Sequence, residues 1–577
     1  MSSFRHLVTR RFSFCIHKSN SAYSRANKFC TISNETAAGD SKPQPPSAAE
    51  KPSFITFDDV LKRRRTEASK SVVIQVKDDK SYGGLYNYMK KYGSIKNCFF
   101  YSLNPQCNYI LIEFENQECL EAALADGQYS NSSETFPTRS PFLWFTLQSR
   151  SKSETWSAPE LQHARVSDLS STEVQTLLAG SKSFTEDMIT LHENVKLNEL
   201  GSRLRFLTAH QVETAFKGMF PFCTVLPFGS SINGFGKINC DLDLVLTYDG
   251  RLQQEIVPSR LMYHSKSCVS TSRMHSQRHL EIVADILQYF LPGCTHVRRI
   301  LRARVPILRY MHDITGIDCD LSATNMSGVY MSELLYILGS YDRRVCPLVY
   351  TVRYWAKEIG LTNPAPGRWI TNFSLTLLVL FYLQHEKIIP TLKMLMTHKR
   401  PVDKRSFDDI DCSFLRDINL LPKDCTIENE SSLVVLLYEF FQFYSSFDFG
   451  SYAISLNTGG MIPKPEYSAL YIVNPLEKHL NVSKNVSPDE CERIKMQFRA
   501  AAWSMECASN DETTNNREWG LLNLVSSHVL RKSGSIRKQG SMKAPARKKV
   551  TVQELFDEGN ETMDWKMPHS KSKKQPV

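Results

Sequence analysis

The tightest constraint on this chain is the run Leu226-Pro-Phe-Gly-Ser-Ser-Ile-Asn-Gly-Phe-Gly-Lys-Ile-Asn-Cys-Asp-Leu-Asp-Leu-Val-Leu246. Its last six residues alternate acidic and apolar, then turn wholly apolar, the pattern of a strand with one buried face. Side chains two apart on a strand share a face, so Asp241 and Asp243 point together while Leu242 and Leu244 enter the core. Two carboxylates side by side repel each other. A divalent cation that neutralises them makes sense of the pair, and a hard, oxygen-seeking ion such as Mg²⁺ or Mn²⁺ suits it. Upstream, Thr224–Phe228 reads as a strand running into Gly229-Ser230, a turn expected to open a helix. Glycine lets backbone come close to a phosphate, and helix N-terminal amides favour anions. Ten residues lie between Ser230 and Asp241, room for the turn, a short helix and a return to the adjacent strand. A glycine turn or an Asp-x-Asp pair alone says little; in this order and spacing they describe a phosphate and metal site.

A third carboxylate is expected from the following strands. Residues Val297–Met311 read as one long strand, Asp313–Gly316 as a turn and Ile317–Ala323 as its partner. Asp318 and Asp320 lie on one face of that partner, and on spacing alone either reaches the metals.

The rest of the chain divides around this centre into an α/β (α+β) architecture. Residues 1–35 hold Arg5, Arg10, Arg11, Lys18, Arg25 and Lys28 before the first acid, Glu35, with serines and Phe or Leu interleaved. That is the pattern of a mitochondrial presequence and implies the matrix. Residues 36–66 read as a flexible linker. Residues 67–150 follow the order βαββαβ of the RRM class of RNA-binding modules. Its stacking rings are sparse, with Tyr109 present but Leu111 and Val73 at the neighbouring ring positions. That leaves an apolar face to cover, and a second copy of the chain is the expected cover, giving a homodimer through this unit. Residues 151–180 read as a second linker, 181–345 as the catalytic palm and 346–508 as a helical domain. From 509 to 577 a disordered tail is expected, with eight Lys or Arg and no acid between Arg531 and Lys549. The longest apolar run, Phe373–Leu383, has eleven residues. A membrane span needs about 20, so no membrane insertion is expected. The fifteen cysteines are scattered without Cys-x-x-Cys spacing, which suits free thiols. Lys and Arg exceed Asp and Glu by ten, a surplus that suits a polyanionic partner.

Gly229-Ser230, Asp241-Leu-Asp243 and Asp320-Leu-Ser resemble the motifs of the polymerase-β-like nucleotidyltransferases, and more narrowly of the poly(A) and poly(U) polymerases that work without a template. Arg353-Tyr-Trp-Ala-Lys357, Thr371-Asn-Phe-Ser-Leu-Thr376 and Asn474-Pro-Leu-Glu477 with Leu480-Asn-Val482 resemble further family motifs. With the presequence and the RRM-like unit, the likeness is greatest to mitochondrial poly(A)-adding members. The resemblance selects Asp320 over Asp318, because the family's third carboxylate directly precedes Leu-Ser. It implies that Asp241, Asp243 and Asp320 hold the metals, and that Gly229 and Ser230 steady the triphosphate of ATP. It further implies that Asn325 contacts the ribose, Arg353 and Lys357 the triphosphate, and Phe373 the base. Residues i and i+4 of a helix share a face, which fits Arg353 and Lys357. The reaction implied is transfer of AMP from ATP to RNA 3′ ends, as in polyadenylation of mitochondrial transcripts. The alternative is a uridylyltransferase. Such relatives carry His directly before the Asn-Val of the last motif, where this chain has Leu480, and that favours ATP. Two departures stand out: Asn474 replaces the family's Asp, and Thr371-Asn372 replaces Ser-Ser.

Overall fold

The computed structural model describes residues 54–128, 140–146, 159–220, 222–247, 272–365, 367–407, 409–422, 429–510 and 519–526. The presequence region 1–35, most of the first linker and the basic run of 531–549 lie outside the described residues.

A helix, α1 (Phe57–Ala68), leads into the first sheet: β1 (Ser71–Val76), β2 (Ile95–Asn104), β3 (Cys107–Phe114), β4 (Phe142–Trp144) and β5 (Gln162–His163), in the order β4-β1-β3-β2-β5. Helices α2 (Tyr82–Met89) and α3 (Gln117–Ala125) complete the βαββαβ unit. Strand alternation gives this sheet two apolar faces. Val72, Ile74, Ile110, Ile112 and Phe114 pack with Leu85, Met89 and Leu120 of the two helices. Val73, Phe99, Tyr101, Tyr109 and Leu111 point the other way and enter a core shared with the palm.

The palm sheet is β6 (Thr224–Phe228), β7 (Leu242–Thr247), β8 (Cys294–Ile300), β9 (Ile307–His312) and β10 (Ile317–Ala323), in the order β6-β7-β10-β9-β8. Only β7 and β10 run parallel; the other neighbours are antiparallel. Before β6 in the chain come α4 (Ser171–Ala179), α5 (Phe184–Val195) and α6 (Glu199–Lys217), and α7 (Ser272–Tyr289) lies between β7 and β8. Leu200, Leu204 and Leu207 of α6 and Leu280, Val283 and Leu287 of α7 pack on Leu242, Leu244, Leu308 and Leu321. The leucines of β7 are thus spent on the helices, which turns Asp241 and Asp243 to the opposite, open face.

Helices α8 (Met326–Tyr341), α9 (Val345–Glu358), α10 (Asn372–His385), α11 (Leu392–Thr397), α12 (Leu433–Ser446) and α13 (Pro488–Asn510) form most of the helical lobe. Its centre is Trp355, with ring centroids 4.7 Å from Phe441 and 5.6 Å from Phe498. The apolar run that begins at Phe373 is α10, buried on every side from Ser374 to Gln384. No helix among the described residues is long and apolar enough to cross a membrane.

Several expectations are corrected. The sheet face expected to wait for a second copy is covered by the palm of the same chain. Tyr101 is fully buried there, donates to Ile314 O at 3.0 Å and stacks on Tyr109 at 5.2 Å. The argument for a homodimer through this face therefore falls, and the same burial keeps Tyr109 from stacking on RNA bases. Residues 57–66 are helix rather than linker. Thr56 caps α1 and Phe57 and Leu61 are buried. Its arginines pair with acids some 135–148 residues away, Arg64 with Glu199 and Arg65 with Glu213. No local sequence pattern displays such partners. The second linker contains β5 and α4, the latter opened by a Ser170–Glu173 capping box. Residues 297–311 form two strands, because the chain leaves the ladder over 301–306, where Pro306 has no amide to offer. Gly229-Ser230 opens a three-residue 3-10 turn, Gly229–Ser231, and no helix. Residues 519–526, assigned to the tail, fold back: Leu521 is buried and its amide donates to Asp187 Oδ2 at 2.9 Å.

The palm and the RRM-like unit are joined by a buried ion cluster. Arg203 of α6 donates to Glu113 of β3 at 2.7 Å and to Glu199 at 2.8 Å, with Glu67 of α1 at 3.6 Å. Loss of Arg203 leaves the buried Glu113 carboxylate with only the Asn97 amide at 2.6 Å and the Lys96 ammonium at 3.6 Å, and breaking a buried pair costs about 3–5 kcal/mol. Arg203→Met should lower stability by that amount, read as a fall in Tm by calorimetry; an unchanged Tm would show that the cluster does not hold the two units together.

Candidate active site

Asp243 lies in β7 directly beside Asp320 of the parallel strand β10, and Phe228, the last residue of β6, lies level with it on the other side. Asp241 sits one step before β7 at the exposed rim of the same face. Burial, then the neighbouring Asp320 and Asp241 charges, push the Asp243 carboxyl up to about 7. Desolvation in the cleft raises Asp241 as well, with Asp320 and Asp318 adding to it. The proton favoured on Asp243 stands where a cation with more charge would be better placed.

The turn after β6 is shaped around Asp243. Gly229 has φ +67, and a Cβ placed there would come within 2.3 Å of Asp243 Oδ2. Gly236 is equally constrained, since a Cβ would meet Ser230 O at 2.0 Å. Ser332 of α8 accepts the Gly229 amide at 2.7 Å, and Ser231 Oγ donates to Asp241 O at 3.2 Å. Ser230 is half-buried in this turn. The Gly229 amide is therefore taken within the chain, and close approach, more than a helix N-terminus, is what the turn offers a phosphate.

Asp320 is held on its far side. Arg309 of β9, level with it in the sheet, donates from Nε to Oδ1 at 2.7 Å and from Nη2 to Oδ2 at 2.5 Å. Asp318 is exposed, one register step from Asp320 toward the Asp241 end. Among the described residues no three acidic, His or Cys side chains stand at ligand spacing around a common point. The third carboxylate is beside Asp243 and is forked to an arginine. The donor set is all oxygen and fits Mg²⁺ or Mn²⁺, which keep waters and use substrate phosphates to complete their shells.

The remaining candidates surround this face unevenly. Arg353 Nη1 donates to Phe235 O at 2.6 Å and Nε to Asn372 O at 3.3 Å, so it staples the glycine loop to the start of α10. Its burial lowers its pKa. Lys357, one turn on, is exposed, with Glu358 3.9 Å away. Phe373 lies half-buried in the first turn of α10, packed on the lobe core, and Thr371 is the N-cap of that helix. Asn325 stands at the N-cap of α8 and accepts from Ser327 Oγ at 2.9 Å.

Asn474 builds a turn: its Oδ1 accepts from the amides of Leu476 and Glu477, each at 3.0 Å. The turn presents Glu477, which accepts from Ser327 at 3.3 Å and pairs with Arg304 of the palm. Leu480 is half-buried behind it, and its amide donates to Glu477 O. Sequence reading passed over Arg309, Arg304 and Ser332 and gave Glu477 no role. The two arginines alternate with apolar residues as any solvated strand or loop would, and only strand register shows whom they face.

A glycine turn laid on an Asp-x-Asp strand, beside a third aspartate on a parallel neighbour and under a helical lobe, defines a polymerase-β-like nucleotidyltransferase. Comparison with known proteins narrows this. Residues 184–340 match the family model "Poly(A) RNA polymerase, mitochondrial-like, central palm domain", 432–483 match "Cid1 family poly A polymerase" and 56–128 match "RL domain". The chain is 45% identical over 465 residues to "Poly(A) RNA polymerase, mitochondrial" of Drosophila melanogaster, covering 78% of this chain and 76% of that protein. The same protein of Homo sapiens is 34% identical, with 81% of each chain covered. The crystal structure of mtPAP in complex with ATPγS superposes with TM-score 0.73 at 34% identity, over 82% of this chain and 99% of that one. The complex of mtPAP with UTP matches with the same values. The chain belongs to the mitochondrial poly(A) RNA polymerase family.

The raised Asp243 gives a stability prediction. Its carboxyl holds a proton in the folded protein up to about pH 7 but in the unfolded chain only to about 4. The stability this contributes is full below pH 4 and is lost as pH rises through 7. Asp243→Asn, which mimics the neutral form, should raise Tm by a few degrees at pH 8 and leave it unchanged near pH 4. Thermal unfolding without divalent metal checks this; an equal effect at both pH values would contradict it.

Proposed function

We propose that this chain transfers AMP from ATP to the 3′ ends of mitochondrial RNA without a template, with Asp241, Asp243 and Asp320 as its catalytic carboxylates. The observation that carries the reading is the placement of Asp243: level with Asp320, crowded by Asp241, and lying under a glycine that leaves no room for a side chain. Such crowding destabilises the ionised protein alone and becomes favourable when polyvalent cations and a triphosphate arrive. Mg²⁺ or Mn²⁺, when bound by these carboxylates, supplies charge neutralisation for the attacking and leaving oxygens.

The protein's own part is to hold and orient. Gly229, Ser230 and Gly236 let the triphosphate approach the backbone of the turn. Lys357 adds positive charge nearby, while Arg353 keeps the glycine loop in place and acts on the triphosphate through it. Asn325, fixed by Ser327, faces the ribose, and Phe373 borders the base. Asp320, once released by Arg309, takes the proton of the RNA 3′-hydroxyl. The 3′-oxygen then bonds to the α-phosphorus of ATP as the bond to pyrophosphate breaks. The helical lobe, through Glu477 and its contacts to Ser327 and Arg304, closes one side of the cleft. Leu480, where uridylyl-adding relatives have histidine, favours adenine over uracil. The relatives' mitochondrial names and the Arg-rich residues 1–34, which hold no acid, support the matrix as the site of action.

The test is extension of a short 5′-labelled RNA by purified protein, Mg²⁺ and each nucleotide separately. ATP should give the longest products. Asp241→Ala, Asp243→Ala and Asp320→Ala should each reduce extension by at least about a thousandfold with a folded protein remaining, and Asp318→Ala by far less. Equal extension with UTP would overturn the adenylyl assignment, and an active Asp320→Ala the choice of third carboxylate.

A further inference from the structure

Strand register places one row of residues across the whole open face of the palm sheet. Arg298 of β8 is level with Arg309 of β9, Arg309 with Asp320 of β10, Asp320 with Asp243 of β7, and Asp243 with Phe228 at the end of β6. Directly opposed residues share a face, and strands lie about 4.8 Å apart. The row therefore runs from the glycine turn, through the two carboxylates, to two guanidinium groups, over about 19 Å.

The two arginines differ from their neighbours. Arg309 is exposed and spends its fork on Asp320. Arg298 is exposed and has no ion-pair partner among the described residues. Arg299, the next residue, is level with buried Leu308 and turns to the helix side, where it pairs with Asp285 of α7 at 2.5 Å. Arg304, in the loop after β8, is tied to Glu477. That loop is itself pinned, since Arg273 donates to Arg302 O and Ala303 O, each at 3.0 Å. Arg298 thus stands on a braced edge, facing the cleft, without an ion-pair partner among the described residues.

The order along the row limits what these arginines serve. In an in-line displacement the attacking and leaving oxygens lie on opposite sides of the phosphorus. With the triphosphate at the glycine turn, beside β6, the strand that attacks must approach from β9 and β8. That strand is RNA, and its last backbone phosphates are the anions nearest its 3′-hydroxyl. A guanidinium fork binds phosphate with the same bidentate geometry that it uses for carboxylate.

We propose that Arg298 and Arg309 seat the last backbone phosphates of the RNA 3′ end, and that Arg309 takes its phosphate by giving up Asp320. Arrival of RNA thereby releases the third carboxylate, so the site is assembled by the substrate that attacks. In the absence of RNA, Arg309 is a counter-ion that keeps Asp320 occupied. The proposal rests on the reading of the site as an RNA-extending one.

The experiment measures binding of a 5′-labelled single-stranded RNA to the full chain by fluorescence anisotropy, in chelator and without nucleotide, over a range of salt. Arg298→Gln should weaken binding roughly tenfold and make the slope of log affinity against log salt shallower by about one. Arg298→Lys should keep the slope and recover part of the affinity. Arg299→Gln removes the same charge one residue away on the other face and should change neither. Arg309→Gln should raise the KM for RNA in extension assays with Mg²⁺ while leaving the KM for ATP in place. Equal RNA affinity and salt slope for Arg298→Gln and Arg299→Gln would overturn the seat, and a raised KM for ATP alone in Arg309→Gln would move that arginine to the nucleotide. A wild-type protein that binds RNA but extends none would instead overturn the parent reading.

Discussion

Repulsion among aspartates that the fold forces together governs this protein. β7 must bury Leu242, Leu244 and Leu246 against α6 and α7, and strand geometry then leaves Asp241 and Asp243 no choice of face. Parallel pairing with β10 adds Asp320 beside Asp243. The hydrophobic side of the sheet supplies the free energy that keeps the acidic side assembled. Arg309 relieves part of the strain on one flank, and the proton retained by Asp243 relieves another part. A site built this way is poised for polyvalent cations, which remove a cost already present in the folded protein and in turn hold a triphosphate.

The elements around the palm serve to hold that sheet rigid. The RRM-like unit gives its stacking face to the palm: Tyr101 and Tyr109 lie between the two sheets, and the buried Arg203 links Glu113 to α6. A module whose class reads single-stranded RNA with such a face has here become a brace. The helical lobe meets the palm through Val245 and α8 at one end of the strands and through the Glu477–Arg304 pair at the cleft mouth. The nucleotide-facing cleft lies between contacts of two kinds, a permanent apolar one and an exposed, salt-sensitive one, so motion of the lobe is easier at the mouth.

The sequence made much of this legible and left the rest dark for identifiable reasons. The period-two pattern after Cys240 assigned faces to Asp241, Asp243, Leu242 and Leu244 without any tertiary information. The βαββαβ order was readable because each element carries its own period, and α3 falls on Gln117–Ala125 as read. What failed depended on distant partners. α1 looks like a charged linker until Glu199 and Glu213 are placed beside Arg64 and Arg65. The apolar face of Val73 and Leu111 was visible, but its cover by the palm of the same chain was not. Arg353 matched a motif by position, yet the structure spends it on two backbone carbonyls. Arg309 was invisible because register between strands is not written in either strand.

The claim that crowded carboxylates are the driving feature is tested most directly by counting protons released when Mn²⁺ binds. Titration calorimetry in two buffers of different ionisation enthalpy gives that count at each pH. The account predicts net release approaching one proton below pH 7, dwindling to none well above it, as Asp243 exchanges its proton for metal charge. Binding with no proton release at any pH would mean that Asp243 is already ionised in the free protein, and would contradict the account.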